Sequence, residues 1–340
     1  MTKSLQKLNK EQLEAIKHYQ GPCLVIAGPG TGKTTVITHR ALYLIKKYNV
    51  NPNNILVVTF TRAAAKEMED RFKKLSNGAI GCQGVTFGTF HSLCFRILRS
   101  YKNYRLDNFL DEKERFLAIK SIVKNLGYDF YEDEQILESI NAEISYMNNI
   151  LADSDKYKSS SIEDDIFKRI SYEYDNYKYI NGKYDFDDML IHCYKLLLDD
   201  FQIMKEIREK FKFLLIDEFQ DINKVQFEII KKIAYPENNI FVVGDDDQSI
   251  YGFRGADSSI MFSFLEDYKT AKKITLIFNY RSSRAIVNSA MSLINNNKKR
   301  YEKKLMAVQD MGCNPYIVNV TDFEEEAKVI SEKIKNRIKE

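Results

Sequence analysis

The stretch Cys23-Leu24-Val25-Ile26-Ala27-Gly28-Pro29-Gly30-Thr31-Gly32-Lys33-Thr34-Thr35 decides how the rest of the chain is read. A short apolar run enters a glycine-rich turn, a Lys-Thr pair follows, and a helical pattern begins at once. Strand, glycine-rich loop, Lys-Thr and helix are the parts of a phosphate-binding loop. Glycines allow the backbone to form a cradle whose N–H groups point at phosphate oxygens. The helix adds the positive end of its dipole. Ala27, Gly28, Pro29, Gly30, Thr31, Gly32, Lys33, Thr34 and Thr35 are therefore candidate ATP-binding residues. Lys33 is placed to reach the β- and γ-phosphates, and the Thr34 hydroxyl to ligate Mg²⁺. One departure stands out: Ala27 occupies the position where this motif usually has its first glycine.

Carboxylates narrow the chemistry. Phe213-Leu214-Leu215-Ile216 is an apolar strand that ends at Asp217-Glu218. An aspartate at the carboxyl end of a buried strand beside the phosphate loop is suited to hold the Mg²⁺ shell, and the adjacent Glu218 to orient and deprotonate an attacking water. Taken alone, the same pair reads equally well as the cap of the next helix.

Short apolar runs alternate with amphipathic stretches through much of the chain. Candidate strands are Cys23–Ala27, Ile55–Thr59, Val85–Phe87, Phe213–Ile216, Ile240–Val243 and Ile274–Ile277, and helical stretches include Lys33–Lys47, Ala63–Leu75, Phe90–Tyr101, Lys224–Ala234 and Ser283–Asn295. Continuous apolar strands between helices predict a doubly wound α/β domain with a parallel sheet. From about Leu106 to Gly182 the pattern is helical only, as in Glu112–Leu126 and Asp133–Met147, which predicts a helical insertion with an exposed connection at Ala152–Ser161. After Asn279 the pattern predicts a helix, a strand at Pro315–Val320 and a helix at Glu324–Lys339, the start of another α/β unit.

Composition excludes rather than assigns. With 44% hydrophobic and 29% charged residues among 340, the chain reads as an ordinary globular protein. A formal charge of +3 neither requires nor rules out nucleic acid, since clustering on one face is what counts. Five scattered cysteines lack metal-ligand spacing and argue against a disulfide framework, which fits a reduced, cytoplasmic compartment. The polar segment Met1 to Lys10 has no signal-peptide core, and no apolar run reaches the roughly 18 residues that cross a bilayer.

Seven segments in order now resemble the UvrD/Rep/PcrA family of superfamily 1 DNA helicases. They are Leu8-Asn9-Lys10-Glu11-Gln12, the phosphate loop, Thr59-Phe60-Thr61-Arg62-Ala63-Ala64-Ala65, Gly88-Thr89-Phe90-His91-Ser92, Ile216-Asp217-Glu218-Phe219-Gln220-Asp221, the run Val243 to Ala256, and Asn279-Tyr280-Arg281-Ser282-Ser283. The resemblance implies a RecA-like motor domain over 1–105 plus 183–278, a helical insertion domain over 106–182, and the beginning of a second motor domain over 279–340. It also implies roles. Gln12 would read adenine, although Asn9-x-x-Gln12 equally has the form of a capping box. Tyr280 would stack on the base, Arg281 would stabilise γ-phosphate charge, and Gln248 would lie between the γ-phosphate and the DNA. Lys33, Glu218, Gln248 and Arg281 form the implied catalytic set, and Thr34 and Asp217 the Mg²⁺ ligands. Phe60, Thr61, Arg62, His91, Tyr251 and Phe253 would grip single-stranded DNA through aromatic stacking and nearby cations. Two positions depart from the family: Phe253 stands where Trp is usual, and Arg62-Ala63 where Asn-Lys is usual. Asp185-Phe186-Asp187-Asp188 needs no chemistry, because carboxylates in a first helical turn complement the dipole.

The family's activity is ATP-dependent movement 3′ to 5′ on single-stranded DNA and unwinding at single/double-strand junctions, in repair or replication. No later family motif is found before Glu340, so the expectation is an N-terminal portion unable to unwind alone. The rival expectation is a shortened homologue that uses ATP as a switch or to hold a partner protein. A P-loop kinase leaves Gln248 and the Asp-rich segment before it without a task.

Overall fold

A computed structural model of the chain describes residues 8–339. Of the polar segment Met1 to Lys10, residues 1–7 lie outside the described residues. Six strands, β1 (Cys23–Ala27), β2 (Ile55–Val58), β3 (Thr86–Gly88), β4 (Phe213–Ile216), β5 (Ile240–Gly244) and β6 (Lys272–Leu276), form one sheet in the order β3-β2-β4-β5-β1-β6. Every ladder in it is parallel.

The continuous apolar runs are explained by burial on both faces. Leu24, Ile26, Leu56, Val58, Leu214, Ile216 and Val242 point into one core, which holds the helices Phe90–Lys102, Phe186–Asp199 and Lys224–Ala234. Their neighbours Cys23, Val25, Ile55, Val57, Phe213, Leu215 and Val243 point into the opposite core, against the helix Lys33–Tyr48. At roughly 1.5–3 kcal/mol for each fully buried large aliphatic side chain, these two layers supply the main drive to fold. Four cysteines (Cys23, Cys82, Cys94 and Cys193) are buried free thiols, and Cys313 is exposed. Among the described residues no helix is long and apolar enough to cross a membrane.

Residues between β3 and β4 leave the sheet. Helices Glu112–Asn125, Glu134–Asn149 and Asp164–Ile180 bury Ile119, Leu137, Ile140, Phe167 and Tyr174 in a separate core. The path out and the path back are zipped together: Leu110 N–H donates to Tyr184 O at 2.9 Å, and Tyr184 N–H to Asn108 O at 3.1 Å. Below this joint lies a buried ionic cluster. Arg115 meets Asp187 at 2.6 Å and Asp185 at 3.6 Å, Lys178 meets Asp188 at 2.8 Å and Asp185 at 3.4 Å, and Tyr174 Oη donates to Asp185 at 2.8 Å. Burial pushes the Asp185 carboxyl up, but Lys178 and Arg115 outweigh it and hold the group at about 2. The carboxylates of Asp185, Asp187 and Asp188 therefore do more than complement a helix dipole, the role the sequence assigned them; they fasten the helical unit to the sheet.

Two further readings gain detail and one needs correction. The acids after β4 face the phosphate loop, although β5 lies between β4 and β1. The connection Ala152–Ser161 is exposed over most of its length and is anchored at its end, where Ser160 N–H at 2.6 Å, Ser159 Oγ at 2.9 Å and Ser161 N–H at 3.2 Å all donate to Glu143, whose side chain is buried. Pro315–Val320 is exposed and is not a strand, because no other strand among the described residues offers it a ladder. In its place two short strands, β7 (Phe278–Asn279) and β8 (Met306–Ala307), pair in parallel around the helix Arg284–Ile294.

Replacing Arg115 by Met leaves Asp187 and Asp185 buried without their guanidinium. The expected loss is about 3–5 kcal/mol, read as a lowered urea midpoint. Amide exchange should rise first in residues 112–180, where the cluster anchors the helices.

Candidate functional site

The loop after β1 is shaped by local chemistry. Gly30 and Gly32 have φ of +68° and +90°, a region that L side chains rarely enter. At Gly30 a Cβ would also lie 2.6 Å from Arg281 Cβ, so the glycine lets the segment after β6 close over the loop. That closure is hydrogen-bonded: Asn279 Nδ2 donates to Pro29 O at 2.7 Å, and Tyr280 N–H to Gly30 O at 2.9 Å. Asn279 Oδ1 in turn accepts from the N–H groups of Arg281 at 3.0 Å and Ser282 at 2.8 Å. Asn279 thus gains a role that its place at the head of the segment Asn279 to Ser283 did not disclose: its buried amide ties the segment after β6 to the loop.

Gln12 reaches the same loop. Its Nε2 donates to Thr31 O at 2.9 Å, while its Oε1 accepts from Asn9 N–H at 3.2 Å and its own N–H donates to Asn9 Oδ1 at 2.8 Å. The capping box is real, and it leaves one amide hydrogen of Gln12 uncommitted. Tyr280 stands at the rim, half exposed, its hydroxyl accepting from Asn9 Nδ2 at 3.0 Å. Arg281 is exposed beside it.

Lys33 Nζ lies 3.1 Å from Glu218 Oε2, so the phosphate loop and the acids after β4 face one another across β5. Glu218 takes a left-handed φ of 49°, a strained conformation for a residue that carries a side chain. Asp217 is buried, and its Oδ1 has no hydrogen-bond partner. Burial, then the charge of Glu218, push the Asp217 carboxyl up to about 7, with Lys33 opposing. Asp221 is pushed up to about 6 by burial and by Glu218, and its Oδ1 is also unpartnered. An orphaned buried carboxylate oxygen beside a threonine hydroxyl is what a hard cation requires, so the residues fit Mg²⁺. Among the described residues no group of three or more His, Cys, Asp or Glu could hold a metal. A cation here would be shared between Thr34, Asp217 and phosphate oxygens, the usual economy of Mg²⁺ sites.

A cavity of about 390 Å³ adjoins this point, and Thr34, Asp217, Glu218 and Gln248 line it together with Phe60, Thr61 and Tyr251. Gln248 Nε2 donates to Asp245 Oδ2 at 2.5 Å. Phe60 and Tyr251 stack with centroids 4.9 Å apart, Phe253 follows at 6.1 Å from Tyr251, and Arg254 lies over both the Tyr251 and Phe253 rings. Phe253 is 70% exposed, so its ring face is open to a partner. Thr61 spends an acceptor lone pair on Ala64 N–H at 3.1 Å as a helix cap, and Arg62 is exposed beside it.

A second groove of about 590 Å³ is lined by Phe60, His91, Phe186, Asn149, Tyr251 and Phe253 among others, between the sheet and the helical insertion. Its His91 packs edge-on against Phe186 and is kept below the usual imidazole range by burial, with Asp187 opposing. The two walls are tied: Asn223 Nδ2 donates to Asn149 Oδ1 at 2.9 Å, and Asn149 Nδ2 to Arg254 O at 3.2 Å. Asn149, Phe186, Asn223 and Arg254 were not singled out from sequence, because nothing local announces that the insertion comes back to meet them. The remaining histidines have modest partners. His18 and His39 bond to backbone oxygens, and His192 to the Tyr104 hydroxyl.

A parallel sheet with a glycine loop after β1 and paired acids after β4 defines a RecA-like nucleotide-binding domain. The UvrD/REP helicase N-terminal domain matches residues 8–269, and the UvrD-like helicase C-terminal domain matches residues 274–340. The chain belongs to the UvrD/Rep helicase family. Among its curated relatives, YjcD of Bacillus subtilis is 37% identical over 97% of this chain and 44% of its own length. The ATP-dependent DNA helicase PcrA of Staphylococcus aureus is 36% identical over 99% of this chain and 47% of its own. For PcrA of Staphylococcus epidermidis the figures are 35%, 99% and 47%. The chain therefore spans less than half the length of these relatives.

Asp217 carries a testable sign. A folded-state value near 7 against an unfolded 3.8 means that the folded chain holds a proton between those values and the unfolded chain does not. Stability without nucleotide or Mg²⁺ should therefore fall as pH rises from about 4 to 7 through this group. Asp217→Asn removes that charge and should raise stability at pH 8 by roughly 1–3 kcal/mol, measured by urea unfolding at pH 5 and pH 8. An Asn variant no more stable than wild type at pH 8 would show that the carboxylate is well solvated.

Proposed function

We propose that the chain binds ATP·Mg²⁺ and single-stranded DNA in adjoining sites and couples hydrolysis at the first to movement along the second. The reading rests on the 3.1 Å approach of Lys33 to Glu218, which sets a phosphate cradle against a general base at the mouth of the aromatic cavity. Backbone N–H groups of Gly30 to Thr35 hold the phosphates, and Lys33 exchanges its contact with Glu218 for the β- and γ-phosphate oxygens. Freed of that ion pair, Glu218 is positioned to orient a water and accept its proton. Thr34 and Asp217 would hold Mg²⁺, which would supply positive charge against that developing on the phosphates. Arg281, exposed beside Gly30, adds charge at the γ-phosphate, and Tyr280 with Gln12 closes on the adenine.

In this reading residues 1–105 with 183–278 form the motor domain, 106–182 an insertion domain, and 279–340 the first elements of a second motor domain. Phe60, Tyr251 and Phe253 present ring faces on which successive bases stack regardless of sequence, while Arg62 and Arg254 meet phosphates and His91 lines the groove floor. Gln248 lines the same 390 Å³ cavity as Glu218, Phe60 and Tyr251, so in this reading a change at the terminal phosphate reaches the base-stacking rings through one side chain. In this reading movement is 3′ to 5′ and serves unwinding at single/double-strand junctions in repair or replication, in the cytoplasm.

Turnover with and without an oligonucleotide tests the proposal. Single-stranded DNA should raise ATP hydrolysis, and Lys33→Ala should lower it at least 100-fold; ATP binding without DNA-stimulated turnover would favour a nucleotide-gated switch instead. Phe253→Ala should weaken oligonucleotide binding by about 1–3 kcal/mol and leave ATP affinity unchanged. In a salt series the log of the binding constant should fall with a slope of about −0.7 for each phosphate contacted.

A further inference from the structure

The run Asp245-Asp246-Asp247 places three carboxylates in one tight turn directly before Gln248. Such a turn would fly apart by like-charge repulsion unless something met it. What meets it comes from beyond β6. Lys303 is 2% exposed, and its ammonium contacts Asp245 at 2.6 Å, Asp247 at 2.9 Å and also Asp246. Three donors on one ammonium answer three acids. Arg300 closes the outer side, donating through Nε at 2.9 Å and Nη2 at 2.6 Å to the two oxygens of Asp247.

Asp245 is the shared member. It is wholly buried; one carboxylate oxygen accepts from Lys303 and the other from Gln248 Nε2 at 2.5 Å. Its N–H donates to Gln220 Oε1 at 2.9 Å, and Gln220 Nε2 donates to Glu218 Oε2 at 3.0 Å. Two residues after Lys303, Leu305 lies on the phosphate loop, its Cδ1 only 2.7 Å from where a Cβ on Gly28 would be. The segment from Arg300 to Leu305 thus touches the aspartate turn and the first glycine of the cradle together.

We propose that Lys303 is a positioning residue for hydrolysis: it fixes Asp245, and Asp245 fixes the amide of Gln248. The inference rests on the role given above to Gln248 and adds a second segment that governs it. Since Lys303 belongs to the residues after β6, a shift of that segment relative to the sheet acts on Gln248 through Asp245 as well as on the phosphate cradle through Leu305. The geometry makes the turn after β5 a joint through which the region beyond β6 sets the readiness of the site.

Three variants of the full chain test it: Lys303→Met, Asp245→Asn and Arg300→Gln. Lys303→Met should lower kcat for DNA-stimulated ATP hydrolysis about 10- to 100-fold, the range seen when a supporting hydrogen-bond partner is lost, with KM for ATP changed less than about twofold. Asp245→Asn attacks the same link from the other side and should match it; it carries the test if Lys303→Met does not fold. Arg300→Gln, which leaves Asp245 untouched, should stay within about threefold of wild type. In a Gln248→Ala background Lys303→Met should add less than about threefold. Additive losses, equal losses in Arg300→Gln, or a rise in KM matching the fall in kcat would mean a general structural role and overturn the proposal.

A second readout needs no turnover. The side-chain amide signals of Gln248 in a ¹⁵N-glutamine-labelled chain, assigned by their disappearance in Gln248→Ala, should shift and exchange faster in Lys303→Met. Unchanged signals would overturn the inference even where DNA-stimulated hydrolysis is found. A wild-type chain without such hydrolysis would count against the proposed function and leave this measurement to decide the link.

Discussion

All six strands of the main sheet run the same way, so the loops that follow β1, β2, β4, β5 and β6 emerge along a single edge. That constraint gathers residues far apart in sequence: Lys33 and Glu218 come within 3.1 Å, and Thr34, Phe60, Asp217, Gln248 and Tyr251 line one cavity. An antiparallel strand anywhere in the central four would send its loop to the other end. The site depends on strand direction before it depends on any side chain.

Strand direction is fixed by the two apolar layers. The strands β1, β2, β4 and β5 alternate residues between the cores on their two faces, and helices cover both, which favours right-handed crossovers and a parallel sheet. The strain that chemistry needs is then affordable within this frame. Asp217 is buried with an orphaned oxygen, Glu218 takes a left-handed backbone, and the glycines of the cradle turn where side chains could not follow. These are local losses, tolerated because the sheet beneath them is rigid.

Charge is used in two ways. In the Arg115–Lys178 cluster, opposite charges are matched and buried, and the outcome is a fixed joint between the helical unit and the sheet. Around Asp217 and Asp221 acids are left without full compensation, and the outcome is a place that favours a cation. The aspartate turn before Gln248 lies between these cases, balanced only because Lys303 and Arg300 arrive from another part of the chain.

The sequence by itself determined the strand-loop-helix of Cys23 to Tyr48, the apolar strand ending in Asp217-Glu218, and the helical character of the segment between β3 and β4. Each of these is a local pattern: periodicity of side chains, or the backbone freedom of glycine. The tertiary structure alone decided that β5 separates β1 from β4, that Pro315–Val320 has no strand to pair with, and that Asn279 bonds to the phosphate loop. It alone brought Asn149 to Asn223 and Lys303 to Asp245. Those facts depend on which distant segments share a space, and a side chain carries no record of its partner until burial makes an unmatched hydrogen bond or charge too costly to leave.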